Sequence, residues 1–310
     1  MNDAPSPGKV SRLLRLALNV NDLARSASFY CEALGFAQEG SITASDPEQG
    51  ALLGRPYQSL TMRLGEQRLE LTAFDEPSAA YPADSRANDL WFQHFAIVTE
   101  DMEAATRRLQ KYRPTPITLG GPQHLPALSG GVIACKFRDP DGHPFELLCF
   151  PSPHARPLPN RLTTGIDHTA LSVGNADTSI AFYGHELGLS LTSQEINTGP
   201  RQERLDDLRG VKVQVIALTT TNPGPHIELL AYQQPRGRPW ATAAKPTDLA
   251  ASRTVLYVSH LSGLLTSFEH ARLEVSENPR PTLLAVTQGK HAALVRDPDG
   301  HFLLLLQTEI

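Results

Sequence analysis

The stretch Arg138–Phe150 reads RDPDGHPFELLCF, and Arg296–Gln307 reads RDPDGHFLLLLQ. The first six residues are identical, so one half of the chain ends as the other does. In the apolar run that follows, the first copy places Glu146 between Phe145 and Leu147, whereas the second has Leu304 at the same offset. A carboxylate in a dry strand is costly unless it is paired or bound to a metal. Its presence in one copy and loss in the other therefore calls for a functional reading.

The repeat extends further. LALNVNDLARSASFYCEALGF (Leu16–Phe36) matches TALSVGNADTSIAFYGHELGL (Thr169–Leu189). Each has an alternating strand, a polar turn, a helix containing Phe-Tyr and a Leu-Gly stop. Asp22, and Asn175 or Asp177, suit helix N-caps, and Gly35 and Gly188 suit the exits. Two more units begin at NDLWFQHFAIV (Asn88–Val98) and TDLAASRTVLYV (Thr247–Val258), with helices expected around Met102–Lys111 and Leu261–Ala271. The pattern βαβββ recurs four times, which predicts an α+β fold. Domain one spans 11–150 (modules 11–80 and 88–150), a proline-rich linker 151–163, and domain two 164–310 (modules 164–233 and 247–310). SITASDPEQGALLGRP and TSQEINTGPRQERLDDLRG read as loops or irregular edges beside a pocket, and DEPSAAYPADSRANDL and QQPRGRPWATAAKPTDL as irregular connections.

With 310 residues, 40% hydrophobic, the chain can fill two ordinary cores. The net charge is -5 without a basic block, which argues against nucleic acid as a partner. No apolar run reaches transmembrane length, and MNDAPSPGKV reads as a short disordered lead-in without a signal-peptide core. Cys31, Cys135 and Cys149 are an odd count without short spacings, so no disulfide framework is expected and a cytoplasmic setting is the simplest.

Aligning the opening strands puts Arg15, His94, His168 and Arg253 in one column, and the closing strands put Glu70, Glu146, Glu228 and Leu304 in another. Two His-Glu pairs at matching positions point to a site for one divalent metal ion: zinc, nickel, iron, cobalt or manganese. Lone carboxylates on a wet concave face, or paired with arginine, are the bland reading of the same residues. His143 and His301 recur in both copies, which assigns them a turn or packing role.

The FY…LG helix and the RDPDGHPFELL strand resemble the vicinal oxygen chelate superfamily of glyoxalase I, bleomycin-resistance proteins, fosfomycin-resistance enzymes and extradiol dioxygenases. The resemblance covers Leu13–Thr308. It implies that modules pair into open cup-shaped β-sheets, with ligands from their first and last strands. Pairing modules two and three gives an intact metal set of His94, Glu146, His168 and Glu228. Modules one and four then hold Arg15, Glu70, Arg253 and Leu304, a lapsed copy in which a leucine can replace a ligand. The structural rival is a first-half site of Glu70, His94 and Glu146, and a homodimer could assemble the same grouping between chains; monomer and homodimer both stay open.

The resemblance implies a glyoxalase-like lyase or isomerase acting on a small carbonyl or diol metabolite, with Glu146 or Glu228 moving a carbon-bound proton. An extradiol dioxygenase is the alternative, although Lys136 and Leu294 stand where that group's tyrosine is expected. A non-catalytic drug- or metabolite-binding protein of the bleomycin-resistance kind is a further one, with Trp91, Phe92, Trp240 and Tyr257 as groove or core aromatics. Arg201 and Arg204 read as a solvated loop or as contacts to an anionic substrate, and His226 as a residue lining the metal strand or capping its edge.

Overall fold

The computed structural model describes residues 8–76, 79–151, 162–240, 244–271, 281–289 and 291–307. The expected lead-in at 1–7 and most of the expected linker, 152–161, lie outside them. Module one contains β1 (Val10–Asn19), α1 (Leu23–Leu34), β2 (Ala37–Ala44), α2 (Pro47–Leu53), β3 (Tyr57–Leu64) and β4 (Gln67–Phe74). Module two contains β5 (Gln93–Thr99), α3 (Met102–Gln110), the short β6 (Thr115–Pro116) and β7 (Gln123–His124), β8 (Ile133–Arg138) and β9 (Pro144–Cys149). Module three contains β10 (Thr163–Val173), α4 (Ala176–Ile180), β11 (Ser190–Thr198), α5 (Pro200–Asp206), β12 (Lys212–Thr219) and β13 (His226–Gln234). Module four contains β14 (Arg253–Val258), α6 (Leu261–Ala271), β15 (Thr282–Val286), β16 (Ala292–Arg296) and β17 (Phe302–Leu306).

The sheets pair the modules crosswise. One runs β15-β16-β17-β14-β1-β4-β3-β2, joining modules four and one, and the other runs β11-β12-β13-β10-β5-β9-β8-β6, joining three and two. Opening strands meet antiparallel at each seam, β1 on β14 and β5 on β10. The register repeats: His94 faces Ala170 and His168 faces Ala96, while Arg253 faces Ala17 and Arg15 faces Val255. On the parallel side Glu146 pairs with Ala96, Glu228 with Ala170, Glu70 with Ala17 and Leu304 with Val255. The four-residue columns read from the sequence are thus true positional equivalents, and both cups form within one chain.

The two largest apolar cores mainly follow the sequence halves instead, while smaller ones fill the crosswise cups. Phe29 and Tyr30 of α1 share a core with Phe95 and Phe145 of module two, and Phe182 and Tyr183 share one with Phe268 and Leu303 of module four. Each such fully buried side chain contributes roughly 1.5–3 kcal/mol. The repeated motifs meet here. Tyr30 OH donates to Asp139 Oδ2 at 2.7 Å, and Tyr183 OH to Asp297 Oδ2 at 2.9 Å. The other oxygen of each aspartate accepts backbone N–H groups of its own turn, His143 N at 2.9 Å and His301 N at 2.8 Å. The two histidines reach to carbonyls, His143 Nε2 to Leu249 O and His301 Nε2 to Ser172 O, both at 2.9 Å. Their role is structural, as the recurrence predicts.

Local signals explain the helices. Asp22 caps α1 by accepting from Arg25 N, Asn175 rather than Asp177 caps α4 by accepting from Thr178 N, and Gly35 turns the chain out of α1 at φ 78°. After Ile180 the module-three helix widens into π-helical turns over Ala181–Glu186.

One expectation holds only in part. The two stretches read as loops or irregular edges do hold an edge strand with a register shift, β2 or β11, but each continues into a short helix, α2 or α5, in place of a loop. They do border pockets, α2 over one cup and α5 over the other.

Candidate functional site

In the cup of modules two and three, β5 and β9 carry His94 and Glu146, and β10 and β13 carry His168 and Glu228. The seam register points all four side chains into one cavity of about 310 Å³. His94 Nε2 lies 3.2 Å from Glu146 Oε2, and His168 Nε2 lies 3.7 Å from Glu146 Oε2 and 3.6 Å from Glu228 Oε2. Donor atoms about 2.0–2.2 Å from one ion are about 3.0 Å apart in an octahedron and about 3.4 Å in a tetrahedron. The spacings of His94, Glu146 and His168 match that sphere, and Glu228, close to His168 alone, stands at its edge. His168 Nε2 is buried and has no hydrogen-bond partner among the described residues. Its Nδ1 is 2.9 Å from Asp167 Oδ2, which turns Nε2 toward the two glutamates. The residues therefore fit a divalent ion with nitrogen and oxygen ligands.

Electrostatics divide the two imidazoles. Burial lowers the His94 pKa, helped by the Lys136 charge, and keeps the ring neutral. Burial works against a charged His168, yet the Glu228 and Asp167 carboxylates override it and raise the pKa to about 9. Glu228 is held down to about 2: burial opposes its charge, but His168 and the His226 contact outweigh that. Glu146 is also lowered, against burial, by Lys136 and His94.

The sequence did not single out Lys136 as a site residue or flag Asp206, yet Lys136 lines this cavity and Asp206 is its ion-pair partner. Lys136 lies opposite Glu146 across the β8–β9 pair, where the other modules have Thr61, Ala217 and Leu294. Its ammonium donates to Asp206 Oδ1 at 2.7 Å, and Asp206 Oδ2 accepts from Gln202 Nε2 and Tyr232 OH. Burial disfavours the ammonium, but Asp206 and Glu146 more than offset it and raise its pKa. A charged residue in an otherwise uncharged column, visible by aligning the four modules, was the available signal.

His226 lines the cavity, its Nε2 3.3 Å from Glu228 Oε1. Asp167, His168 and His226 form a second close group beside the first. Arg204 bonds Gln123 Oε1 and is spent on packing α5, while Arg201 is exposed away from the cavity. Phe92 and Trp91 are core residues, and Trp240 packs on Phe302; Tyr257 lies on β14. None of the four lines the cavity. Glu70 belongs to the other sheet and accepts from Arg15 Nε at 2.9 Å, so the described geometry does not bring it to His94 and Glu146.

The model of one family, "Glyoxalase/Bleomycin resistance protein/Dioxygenase superfamily", matches residues 12–147 and 165–305. A "Lactoylglutathione lyase" of Oryza sativa subsp. japonica is 28% identical over 181 residues, covering 58% of this chain and 54% of that protein. "Lactoylglutathione lyase GLX1" of Arabidopsis thaliana is 26% identical over 181 residues, covering 58% and 56%. The match thus spans about half the length of these curated relatives. The fold is that of the crystal structure of glyoxalase I from Zea mays, with TM-score 0.62, 18% identity and coverage of 96% of this chain and 92% of that one. Among the described residues no helix is long and apolar enough to cross a membrane.

Proposed function

The chain belongs to the Glyoxalase/Bleomycin resistance protein/Dioxygenase superfamily, and from that premise we propose that it is a metal-dependent lyase or isomerase of the glyoxalase I kind. The observation that carries this is the close group of His94, Glu146 and His168 at the seam of two modules, with Glu228 in the same cavity 3.6 Å from His168 Nε2. The names of the curated relatives support the lyase reading over ring cleavage.

A divalent ion held by these four side chains would supply Lewis-acid polarisation of two adjacent substrate oxygens. The chain's own groups do the rest. Glu146 is deeply buried between His94 and Lys136 and serves as a fixed ligand. Glu228 has a side chain 21% exposed and anchored only by His226 and His168, so it is the carboxylate free to swing. It takes the proton from the hydroxyl-bearing carbon beside the carbonyl and returns it to the former carbonyl carbon, while the hydroxyl proton passes to the former carbonyl oxygen, so substrate and product are isomers. Leu125, Val132, Leu148, Leu205 and Leu230 wall the cavity and exclude water from the transfer. The substrate class is a small 2-oxoaldehyde adduct or related hydroxy-carbonyl.

The group His94, Glu146 and His168 also satisfies a two-histidine, one-carboxylate set by itself, which is the observation favouring a dioxygenase as the second reading. Metal content per purified chain tests both. The expected result is about one divalent ion in wild type, lost in His168→Ala and kept in Glu70→Ala. Loss of metal in Glu228→Ala favours the four-ligand lyase, and full retention with oxygen consumption on catechols favours the dioxygenase. Absence of binding in every sample after reloading overturns the catalytic reading.

A further inference from the structure

The other cup is a site in its own right. Its seam column presents Arg15, Glu70, Arg253 and Leu304 in place of the four ligands, and these line a cavity of about 170 Å³. Helix α2 roofs it with Leu52 and Leu53.

Arg15 is satisfied, since its Nε donates to Glu70 Oε2 at 2.9 Å. Arg253 is not. It is 0% exposed. Its two terminal nitrogens donate to neutral groups, Asn19 Oδ1 at 2.6 Å and Thr72 Oγ1 at 3.0 Å. Its Nε has no hydrogen-bond partner among the described residues, and none of the described carboxylates pairs with it. A buried cation without an anion is costly, because a low-dielectric interior does not replace its hydration. Burial accordingly lowers the Arg253 pKa.

We propose that this cavity binds a small organic monocarboxylate, its carboxylate against Arg253 and its apolar body against Leu52, Leu53, Leu304 and Leu306. At the cavity base Arg15 and Arg253 outweigh Glu70 by one positive charge, which one carboxylate neutralises. Asp46 and Glu48 add two negative charges at the rim, each held by a backbone N–H, of Gln49 and of Gln288, so an anion is favoured only at the base beside Arg253. Room for about five water volumes suits an acid of a few carbons and excludes long chains. The site shares no lining residue with the metal-ligand cavity, so it stands whatever the fate of the catalytic reading.

Isothermal titration of the whole chain with butyrate, butyramide and octanoate tests it. Expected is one butyrate per chain, with butyramide at least about tenfold weaker, the cost of losing a charge-assisted bond, and octanoate excluded. Binding is lost in Arg253→Met and in Leu304→Phe, which fills the cavity but leaves Arg253 and its Asn19 and Thr72 bonds in place. It persists in His168→Ala, which separates this site from carboxylate binding at a metal. Equal binding of acid and amide, no binding of butyrate, persistence in a folded Leu304→Phe, or loss in His168→Ala each overturns the proposal.

Discussion

Gln93 Nε2 donates to Thr254 Oγ1 at 3.0 Å, tying β5 of one cup to β14 of the other, and also to Thr169 Oγ1 at 3.1 Å. Each partner adjoins a seam-column residue: Gln93 precedes His94, Thr169 follows His168 and Thr254 follows Arg253. All three side chains are buried. Gln93→Leu removes both bonds and leaves the buried Thr254 Oγ1 without this donor, while Thr169 keeps its bond to the His94 carbonyl, a cost of about 1–3 kcal/mol. A urea titration reads it. A loss below about 0.5 kcal/mol would mean that the threonine oxygens find other donors.

The Lys136–Asp206 pair yields a second prediction. Lys136→Met leaves Asp206 buried with Gln202 and Tyr232 as its remaining donors, and about 3–5 kcal/mol should be lost. Adding Asp206→Leu should restore part of it, since no charge then stays buried. Urea midpoints of the four proteins close the cycle, and strict additivity would mean that the two charges do not interact.

How legible this was varies by feature. Repetition exposed the modules, the cap residues and both four-residue columns, because each depends on positions kept at fixed offsets. Edge strands β2 and β11 escaped a firmer reading than loop or irregular edge, since almost every residue in them is exposed and no period-two alternation marks them. The Lys136 network escaped for another reason: Lys136 and Asp206 lie 70 positions apart and meet only through the crosswise pairing. The seam likewise decides that Glu70 faces Arg15 instead of His94, and no local pattern encodes it.

Glu228→Gln and Glu146→Gln should separate if the proposed division of labour holds. Loss of the proton-moving carboxylate removes general base catalysis worth about 10²–10⁴-fold in kcat, so Glu228→Gln, whose amide oxygen can still ligate where alanine cannot, keeps most of the metal and loses turnover. Glu146→Gln weakens metal binding first, since Glu146 is the oxygen shared between His94 and His168. Metal content and kcat measured side by side distinguish them, and the reverse pattern would assign the moving carboxylate to Glu146.

The His143–Asp139 pair predicts the pH dependence of stability. The two lie 2.9 Å apart and wholly buried. Burial disfavours charge on both, but each offsets it for the other: the His143 pKa is raised, and His143, then Tyr30, lower that of Asp139. An imidazolium with a raised native pKa contributes fully below the unfolded value of about 6.5, and loses that contribution as pH climbs through the native one. The carboxylate contributes above its unfolded value of about 3.9 and loses its share as pH falls through its lowered native value. The pair is therefore most stabilising between those two unfolded values, and the wild type should weaken as pH rises from about 6.5 into the alkaline range. His143→Gln removes this alkaline decline, leaving a lower and flatter curve there. Its acid limb survives, because Asp139 still accepts from Tyr30 OH and from its own turn's N–H groups. Urea midpoints across the pH range compare the two proteins, and parallel curves would mean that His143 is neutral in the fold.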